Sequence, residues 1–506
     1  MEGKIAGSAS KNSYLKETTA PMRTKAVLLL PFFLFIVVPA TAQLPGTAAP
    51  QSSSYDQQQQ PAMAPPQMQP TDVFSGSGAV DKLVPGVIKL GVLEAIDRGL
   101  RHNLGLLLSQ QQTEAARAQH RRSLSYLLPN VSGNLNESVQ QINLAAFGIP
   151  LPAGLTSPVI GPFGLFDAHA AMNETFLDFN ALNRLRASTE NEKAARFNLQ
   201  DARELVVLVV GNEYLLTLAD AARLDTAKAQ LTTAQTIYQQ TRDMKTAGVS
   251  AGIDVLRAQV QMQTQQQRVL AAQNQFEREK MTLARVIGMP VSQQFDLTDT
   301  VPYAPLPPMN VEEALARAYQ RRPEYLAAES RVRSSELAVK AAKGEALPTM
   351  QVNGQYGVIG PTPGGSENVY SLGAGVRIPV FQGGRVKADV AQAESDLQQS
   401  RMQLENLHSR VEFEVRSSLL DVNTSNEQVA VARQSIDLAG QQLKEAQDRY
   451  AAGVSGTLEV VQSQEAVAAA NETYIQALYL NNVAKLTLSR ALGVAEQQIR
   501  AFLGGK

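Results

Sequence analysis

The residues that come nearest to a catalytic pattern lie at 248–252, where G-V-S-A-G fits the G-x-S-x-G motif of serine hydrolases. In that motif the serine sits on a sharp turn between a strand and a helix, where its hydroxyl acts as a nucleophile. Here the flanking residues predict a helix on both sides. A similar segment at 453–457 reads G-V-S-G-T and breaks the motif. The sequence therefore does not predict a hydrolase.

The residue types needed for metal, cofactor or nucleic-acid chemistry are also poorly placed. Cysteine is absent, which excludes disulfides, thiolate metal sites and a lipid-modified N-terminal cysteine. The histidines are far apart and lack a nearby second ligand: His102, His120, His169 and His408. No glycine-rich phosphate loop follows a predicted strand. The formal net charge of −1 gives no basic surface for nucleic acid. We expect no enzyme activity, cofactor, metal or nucleic-acid partner.

The N-terminal part has the three regions of a secretory signal peptide. A basic stretch at 22–25 precedes an apolar stretch at 26–38 and an A-T-A cleavage sequence that ends at Ala42. We predict a signal peptide at 1–42, with Met22 as an alternative start. A single membrane anchor is the competing interpretation, but about 13 apolar residues are too few to cross a bilayer comfortably.

Beyond a Pro- and Gln-rich stretch at 43–86, which we predict to be a disordered linker, the sequence is duplicated. The Glu-Ala pair at 94–95 recurs 219 residues later, whereas the A-G-V-S sequence at 247–250 recurs 205 residues later. The offset changes within 129–176, so the first half carries a longer loop there. The predicted divisions are a first repeat at 87–300, a second repeat at 301–495 and a C-terminal tail at 496–506.

Each repeat contains two predicted strands in which apolar and polar side chains alternate. The strands lie at about 130–139, 164–176, 349–359 and 369–381. About ten tilted residues cross a bilayer, and this alternation is typical of a membrane β-barrel; a soluble sheet is the alternative. Asp167, His169 and Glu174 interrupt the apolar positions of the first copy. No later stretch approaches 18 apolar residues, so a membrane span would have to be built from strands.

A very long helix is predicted after each strand pair. The first, at 180–247, has 68 residues and would be about 100 Å long. In the second, apolar residues recur every seven positions with one four-residue step, which predicts a coiled coil. These residues are Val390, Leu397, Leu404, Val411, Val415, Val422, Val429, Ile436, Leu443 and Tyr450. The return helix at 254–287 is about half as long, so the helix that ends at Ala346 would be needed to complete the second layer.

Four strands per chain cannot close a membrane barrel, since the smallest such barrels have about eight strands. Two copies would give about eight strands and an interior filled by side chains, whereas three would give about twelve and leave an opening. We therefore expect a homotrimer embedded in outer-membrane lipid.

The paired turns give the clearest likeness to a known family. Residues 247–256 read A-G-V-S-A-G-I-D-V-L, and residues 452–461 read A-G-V-S-G-T-L-E-V-V. With the signal peptide and the duplicated halves, the chain resembles TolC-like outer-membrane efflux proteins over about 88–493. The resemblance implies a mainly α fold with a trimeric twelve-stranded β-barrel, continued by a long α-helical coiled-coil tunnel through the periplasm. It also implies a passive channel of a tripartite efflux or type I secretion system, joined to a periplasmic adaptor protein and an inner-membrane pump.

The resemblance assigns roles to residues in and near the two turns. The expected adaptor contacts at the periplasmic tip are Gly248, Val249, Ser250, Gly453, Val454 and Ser455. The expected gate residues are Asp254, Tyr450 and Glu459, while Ser455 and Gln462 stand where TolC itself has an arginine and an aspartate. The same turns have a structural explanation, because glycine ends helices in a left-handed conformation and acidic residues favour a helix start.

A periplasmic adaptor or structural coiled-coil protein is the competing class. It would share the signal peptide and the long helices. An adaptor should have many short strands around one helical hairpin, whereas this sequence predicts two hairpins and two strand pairs. The sequence does not identify the cargo or the cognate pump.

Overall fold

The structure is a computed structural model that describes residues 73–78, 81–148, 157–301, 303–304, 306–307 and 309–503. The predicted signal peptide at 1–42 lies outside these residues. The predicted linker extends to residue 86, but its described end is bonded to the folded part. The Asn103 amide donates to the Phe74 carbonyl oxygen at 2.7 Å, and the Val84 N–H donates to Gln293 Oε1 at 2.9 Å. The fold therefore begins before residue 87.

The described elements follow the predicted order of helices, two strands and long helices, twice over. The strands are β1 (Ile88–Leu90), β2 (Asn130–Asn143), β3 (Val159–Leu177), β4 (Phe295–Leu297), β5 (Thr349–Gly360) and β6 (Glu367–Arg377). The helices are α1 (Val92–His102), α2 (Leu104–Ser125), α3 (Phe179–Thr246), α4 (Gly252–Val286), α5 (Val311–Arg321), α6 (Pro323–Gly344), α7 (Arg385–Ala451), α8 (Thr457–Ala491) and α9 (Ala495–Leu503).

The four long strands form one antiparallel sheet in the order β2-β3-β5-β6. Strands β2 and β3 extend beyond the predicted ends at their shared loop, since β2 reaches Asn143 and β3 begins at Val159. Strand β6 ends at Arg377 rather than at 381. Proline cannot donate a ladder hydrogen bond, and Pro379 lies two residues beyond that end.

The register gives the sheet one apolar and one polar face, because paired residues share a face. The apolar face carries Val131, Leu135, Val139, Phe166, Ala168, Ala170, Met172, Met350, Val352, Tyr356, Val358, Tyr370, Leu372, Ala374 and Val376. Glu174 lies on this face opposite Val352, as expected. Asp167 and His169 pair with Ile359 and Gly357 on the polar face, so their predicted apolar placement is wrong.

Asp167 and His169 lie an odd number of residues from Glu174, so regular alternation already places them on the opposite face. A bulge also interrupts β3 near its end. The pairing of β3 with β5 shifts between Thr175 and Leu177, which leaves Phe176 as an extra residue. One extra residue reverses the alternation of the strand relative to the helix that follows it.

The long helices follow the sequence prediction closely. Helix α3 contains 68 residues and α7 contains 67, so each is about 100 Å long. The predicted seam of α7 is buried at Val411, Val415, Val422, Val429 and Tyr450. The small residues three positions after the late seam positions are buried as well: Ser418, Ser425, Ala432, Ala439 and Ala446. Large and small side chains therefore pack together along this coiled coil.

The predicted two-piece second layer is also present. Helix α4 returns along α3, α8 returns along α7, and α6 packs between α3 and α7. Two cores lie where these pieces meet. The first includes Val206, Val210, Tyr214, Leu215, Leu283, Ile287, Phe295 and Leu486. The second includes Val411, Val415, Val422, Ala314, Ala318, Leu488 and Leu492.

Helix α3 is long and apolar enough to cross a membrane by length and composition. The stretch is not continuously apolar, because Asn212 and Glu213 interrupt it, so the expectation that no run approaches 18 apolar residues is not contradicted. Just over half of the most apolar window of α3 is buried inside the chain. Val206, Val207 and Val210 supply much of that burial, and they belong to the first core.

The C-terminal segment that was predicted as a tail contains a packed helix. Gly493 has a φ of +68°, which separates α8 from α9. Ile499 packs into the first core and Phe502 into the second, so α9 closes both cores.

Glu204 on α3 is buried against the start of α9. Its Oε2 accepts a hydrogen bond from the Glu496 backbone N–H at 3.3 Å, and the neighbouring Arg203 donates Nε–H to Glu496 Oε2 at 2.8 Å. Burial raises the pKa of Glu204 to about 7, although the backbone N–H groups of α9 favour its charged form. This contact between α3 and α9 therefore changes its charge near neutral pH.

Glu204→Gln should remove a pH-dependent part of the stability. Because the folded pKa lies above the ordinary value of 4.5, this stabilisation is full below about pH 4.5 and is lost as the pH rises through about 7. Relative to the variant, the wild type should lose at most about 3 kcal/mol across that window. Thermal unfolding at about pH 4 and about pH 8 measures the difference. Glu277→Gln, at an exposed position on α4, is the control; equal pH dependence in wild type and Glu204→Gln would contradict the prediction.

Candidate functional site

The two predicted tip turns have the same backbone geometry. Gly248 follows α3 with a φ of +77°, and the Val249 N–H donates to the Met244 carbonyl at 2.8 Å. Gly453 follows α7 with a φ of +74°, and the Val454 N–H donates to the Arg449 carbonyl at 3.0 Å. Each turn is a Schellman motif, in which glycine adopts the left-handed conformation without strain. The structural explanation of both glycines is therefore correct.

Both turns present apolar side chains to the surface of the chain. Val249 is 68% exposed and Val454 is 69% exposed. The following turn of each return helix adds exposed Ile253 and Leu256 on α4 and Leu458 on α8. We call these five residues the tip patch. Exposed aliphatic groups on tight, backbone-bonded turns are suited to protein contact.

The four long helices meet beside these turns. Ile237 of α3, Ala258 of α4, Val460 of α8, and Ala446 and Tyr450 of α7 form one buried cluster. This cluster brings both turns to the same end of the molecule.

Tyr450 lies inside that cluster rather than on the surface. Its hydroxyl hydrogen-bonds Thr241 Oγ1 at 3.0 Å, and the Thr241 hydroxyl donates to the Ile237 carbonyl at 2.8 Å. This chain joins α7 to α3. Sequence reasoning did not single out Thr241, but Thr241 lies 205 residues before Ala446 and so occupies the same place in the first repeat.

The two acidic gate candidates lie at the starts of the return helices. Asp254 pairs with Arg257 at 3.4 Å on α4, and Glu459 pairs with Arg449 across its turn at 3.5 Å. Their carboxylates also lie in the first turn of a helix, where the helix dipole favours negative charge. Within the described residues, Asp254, Tyr450 and Glu459 each bond to a different neighbour and not to one another. The two basic partners were not singled out by sequence reasoning.

A polar bridge joins the return helices above the turns. Glu465 of α8 accepts hydrogen bonds from Gln261 at 2.7 Å, Gln265 at 3.2 Å and Arg268 at 2.8 Å, all on α4. Partial burial raises the pKa of Glu465, but hydrogen bonds from Arg268 and Gln261 outweigh burial, so the pKa lies below its usual value. The bridge therefore combines the exposed Arg268 and Glu465 with a buried amide from Gln265.

Residues 248–252 join two helices, so the strand that a nucleophile elbow requires is not in front of Ser250. The histidines also lie in different surroundings. His102 faces Asp81, His120 contacts Ser188, His169 lies on the sheet, and His408 stacks on Tyr319. Among the described residues, no group of three or more His, Asp or Glu side chains could hold a metal ion.

A sheet with one apolar and one polar face, continued into two long helical hairpins, defines a subunit of a membrane barrel with a helical extension. A family model supports this class: residues 95–289 and 314–494 match the outer membrane efflux protein family. The chain belongs to this family. It is therefore an outer-membrane channel subunit of the efflux type, with its helical part in the periplasm.

Individual relatives agree with the family match. The chain is 23% identical over 419 residues to the antibiotic efflux pump outer membrane protein ArpC of Pseudomonas putida, covering 79% of this chain and 82% of ArpC. A shorter match to the outer membrane efflux protein BepC of Brucella suis is 29% identical over 189 residues and covers 37% of this chain and 41% of BepC. A solved membrane protein of Pseudomonas aeruginosa superimposes with a TM-score of 0.69 at 21% identity, covering 79% of this chain and 93% of that one. The predicted family, fold class, function and location are confirmed, and the adaptor alternative receives no support.

Tyr450→Phe should loosen the tip without unfolding the chain. Losing the hydroxyl bond to Thr241 should reduce local stability by about 1 kcal/mol, which corresponds to about fivefold faster opening. Amide hydrogen exchange in the last two turns of α3 and α7 measures this change. Tyr238→Phe is the matched control, since Tyr238 packs on the same cluster. Equal exchange in Tyr450→Phe and wild type would show that the bond does not hold the tip.

Proposed function

We propose that three copies of this chain form one channel, with a twelve-stranded barrel and a shared helical tunnel. Within the described residues, β2 and β6 each have one strand neighbour, so the sheet has two free edges. A sheet edge exposed to lipid leaves backbone groups unpaired, which is strongly unfavourable. Pairing β6 of one copy with β2 of the next removes both edges when the ring closes. This sheet, with its apolar outer face, carries the proposal.

The outer surface of α7 supports contact between copies. A row of exposed apolar residues recurs at intervals of 11 and 7 positions, which keeps it on one side of the helix. The row contains Met402, Phe413, Leu420, Val431 and Leu438, and Phe413 is 71% exposed. This row lies opposite the buried seam, so it has no partner among the described elements of its own chain. A neighbouring copy in the same ring would bury it.

The channel works as a passive conduit for substrates that an inner-membrane pump delivers through a periplasmic adaptor. The proposed docking surface consists of the tip patch and the two turns beside it, with Gly248, Val249 and Ser250 in one turn and Gly453, Val454 and Ser455 in the other. The glycines fix the turns, and the valines supply exposed apolar contact area.

Asp254, Glu459 and Tyr450 are the proposed gate residues. Tyr450 ties the outer helices α3 and α7 together, while the two carboxylates lie at the ends of the movable return helices. In a ring of three copies these carboxylates surround the tunnel entrance together with Arg257 and Arg449, which offset part of their charge. Acidic groups in such a ring attract cations and can bind basic groups of a neighbouring copy.

Removing both acids should change the conductance of the purified protein in a planar bilayer. Wild type should give small, cation-preferring openings, and Asp254→Ala combined with Glu459→Ala should give openings at least about twofold larger or longer. The control is Glu277→Ala combined with Glu427→Ala, which removes two exposed acids far from the turns. A soluble protein that never inserts would overturn the channel, whereas identical openings in both double variants would overturn the gate alone.

Charging the tip patch should abolish adaptor docking. Val249→Asp combined with Val454→Asp should weaken copurification with a co-expressed periplasmic adaptor by at least about tenfold, because two exposed apolar contacts become charged. The variant should still assemble as wild type does, since neither valine packs on a described core. Val291→Asp, at an exposed valine outside the tip, is the control. Equal loss in the control would show that the effect is not specific to the turns.

A further inference from the structure

The polar face of the sheet carries little charge. On the described strands, its charged or ionisable side chains are Glu367 at the start of β6, Arg377 at the end of β6, and the pair Asp167 and His169 in the middle of β3. The other polar positions are mainly Asn, Gln, Ser and Thr. Away from the strand ends, the charge on this face therefore depends on one carboxylate and one imidazole.

These two side chains form a defined pair. His169 Nδ1 lies 2.8 Å from Asp167 Oδ1, and His169 Nε2 lies 3.3 Å from Asn134 Nδ2 on β2. In this arrangement the Nδ1–H donates to the carboxylate and Nε2 accepts from the Asn134 amide. Both ring nitrogens are bonded, so the imidazole is held in a fixed orientation.

Strand β5 approaches the backbone of β3 closely beside His169. Gly357 of β5 is its register partner, and a Cβ at that position would lie 2.5 Å from His169 Cα and 2.3 Å from the Ala168 carbonyl oxygen. Real side chains do not tolerate such distances, so glycine is required for β5 to approach β3 at this point. The close strand contact and the hydrogen bond between His169 and Asp167 therefore lie at the same place in the sheet.

We propose that Asp167 and His169 form an ionisable ring that sets the ion selectivity of the barrel lumen. The inference rests on the proposed trimer, which places three such pairs around one passage. With neutral imidazoles, each copy contributes one negative charge from Asp167, and the ring favours cations. With protonated imidazoles, each His169 cancels its own Asp167, and the ring loses that preference.

The residues that face Asp167 and His169 from the neighbouring described strands carry no charge, so the charge at this level of the sheet depends on these two side chains. The residues that face it from β2 are Asn134 and Asn136, and those from β5 are Gly357 and Ile359, all uncharged. Glu367 pairs with Ile359 and Arg377 with Thr349, so both lie at the strand ends. When the His169 imidazole takes up a proton, its Nε2 becomes a hydrogen-bond donor. The Asn134 side chain must then turn its amide oxygen towards Nε2. Histidine is the side chain that ordinarily changes charge between about pH 5 and 8.

The reversal potential of single channels under a salt gradient tests the ring. Only the bath on the barrel side is acidified, so that Asp254 and Glu459 at the other end keep their charge. In wild type, the cation-to-anion permeability ratio should fall at least about twofold between about pH 8 and about pH 5. Asp167→Asn should show the low ratio already at about pH 8, and His169→Gln should keep the high ratio at both values.

Glu137→Gln is the matched control, because Glu137 lies one register step from Asp167 but on the apolar face. It should behave as wild type. The proposed selectivity ring would be wrong if Asp167→Asn kept the wild-type permeability ratio. It would also be wrong if Glu137→Gln changed this ratio as much as Asp167→Asn does. If the wild-type protein never forms channels, the proposed function itself is wrong. If channels form but Asp167→Asn and His169→Gln leave their ion selectivity unchanged, only the proposed selectivity ring is wrong. Assembly of each variant is checked first by its migration as an oligomer in detergent.

Discussion

The two free edges of the sheet are the constraint on which the rest of the molecule depends. In a bilayer, backbone N–H and C=O groups at the edges of β2 and β6 have no water to bond, so other strands must pair with them. Four strands are too few to close a barrel, so the fold is incomplete without further copies. Helix α3 begins two residues after β3, and α7 begins soon after β6. Closure of the barrel therefore also sets the long helices side by side, and the tunnel takes its diameter from the barrel.

The two repeats have similar backbones but carry different side chains at some matching positions where charged groups make contacts. Asn103 caps α2 through hydrogen bonds to the Gly105 and Leu106 N–H groups. Its counterpart 219 residues later is Arg322, which precedes Pro323 and instead pairs with Glu324 and Glu414 while almost fully buried. Breaking such a buried ionic pair is strongly destabilising, so the two repeats now depend on different interactions at the same junction. The hydrogen-bonded Asp167 and His169 on β3 likewise belong only to the first repeat.

Two different kinds of contact join the long helices near the two turns. The Schellman turns and the Tyr450 to Thr241 bond hold α3 and α7 by backbone geometry and a buried hydroxyl pair. The return helices are joined by Glu465, which accepts hydrogen bonds from the exposed Arg268 guanidinium and from the buried Gln265 amide. The contact between α3 and α7 at this end is therefore buried, whereas the contact between α4 and α8 is partly exposed.

The sequence by itself determined the duplication, the long helices, the two strand pairs and the tip turns, because these depend on local periodicity and on glycine. The heptad seam ending at Tyr450 and the left-handed turns at Gly248 and Gly453 followed directly from spacing. The tertiary structure decided what spacing cannot show. The strand register placed Asp167 and His169 on the polar face and Glu174 on the apolar face, because residues an odd number of positions apart point to opposite sides of a sheet. Packing across both repeats turned the predicted tail into α9, since burial of Ile499 and Phe502 depends on partners hundreds of residues away. Thr241 and Arg449 were identified as partners of Tyr450 and Glu459 only when the fold brought separate helices together.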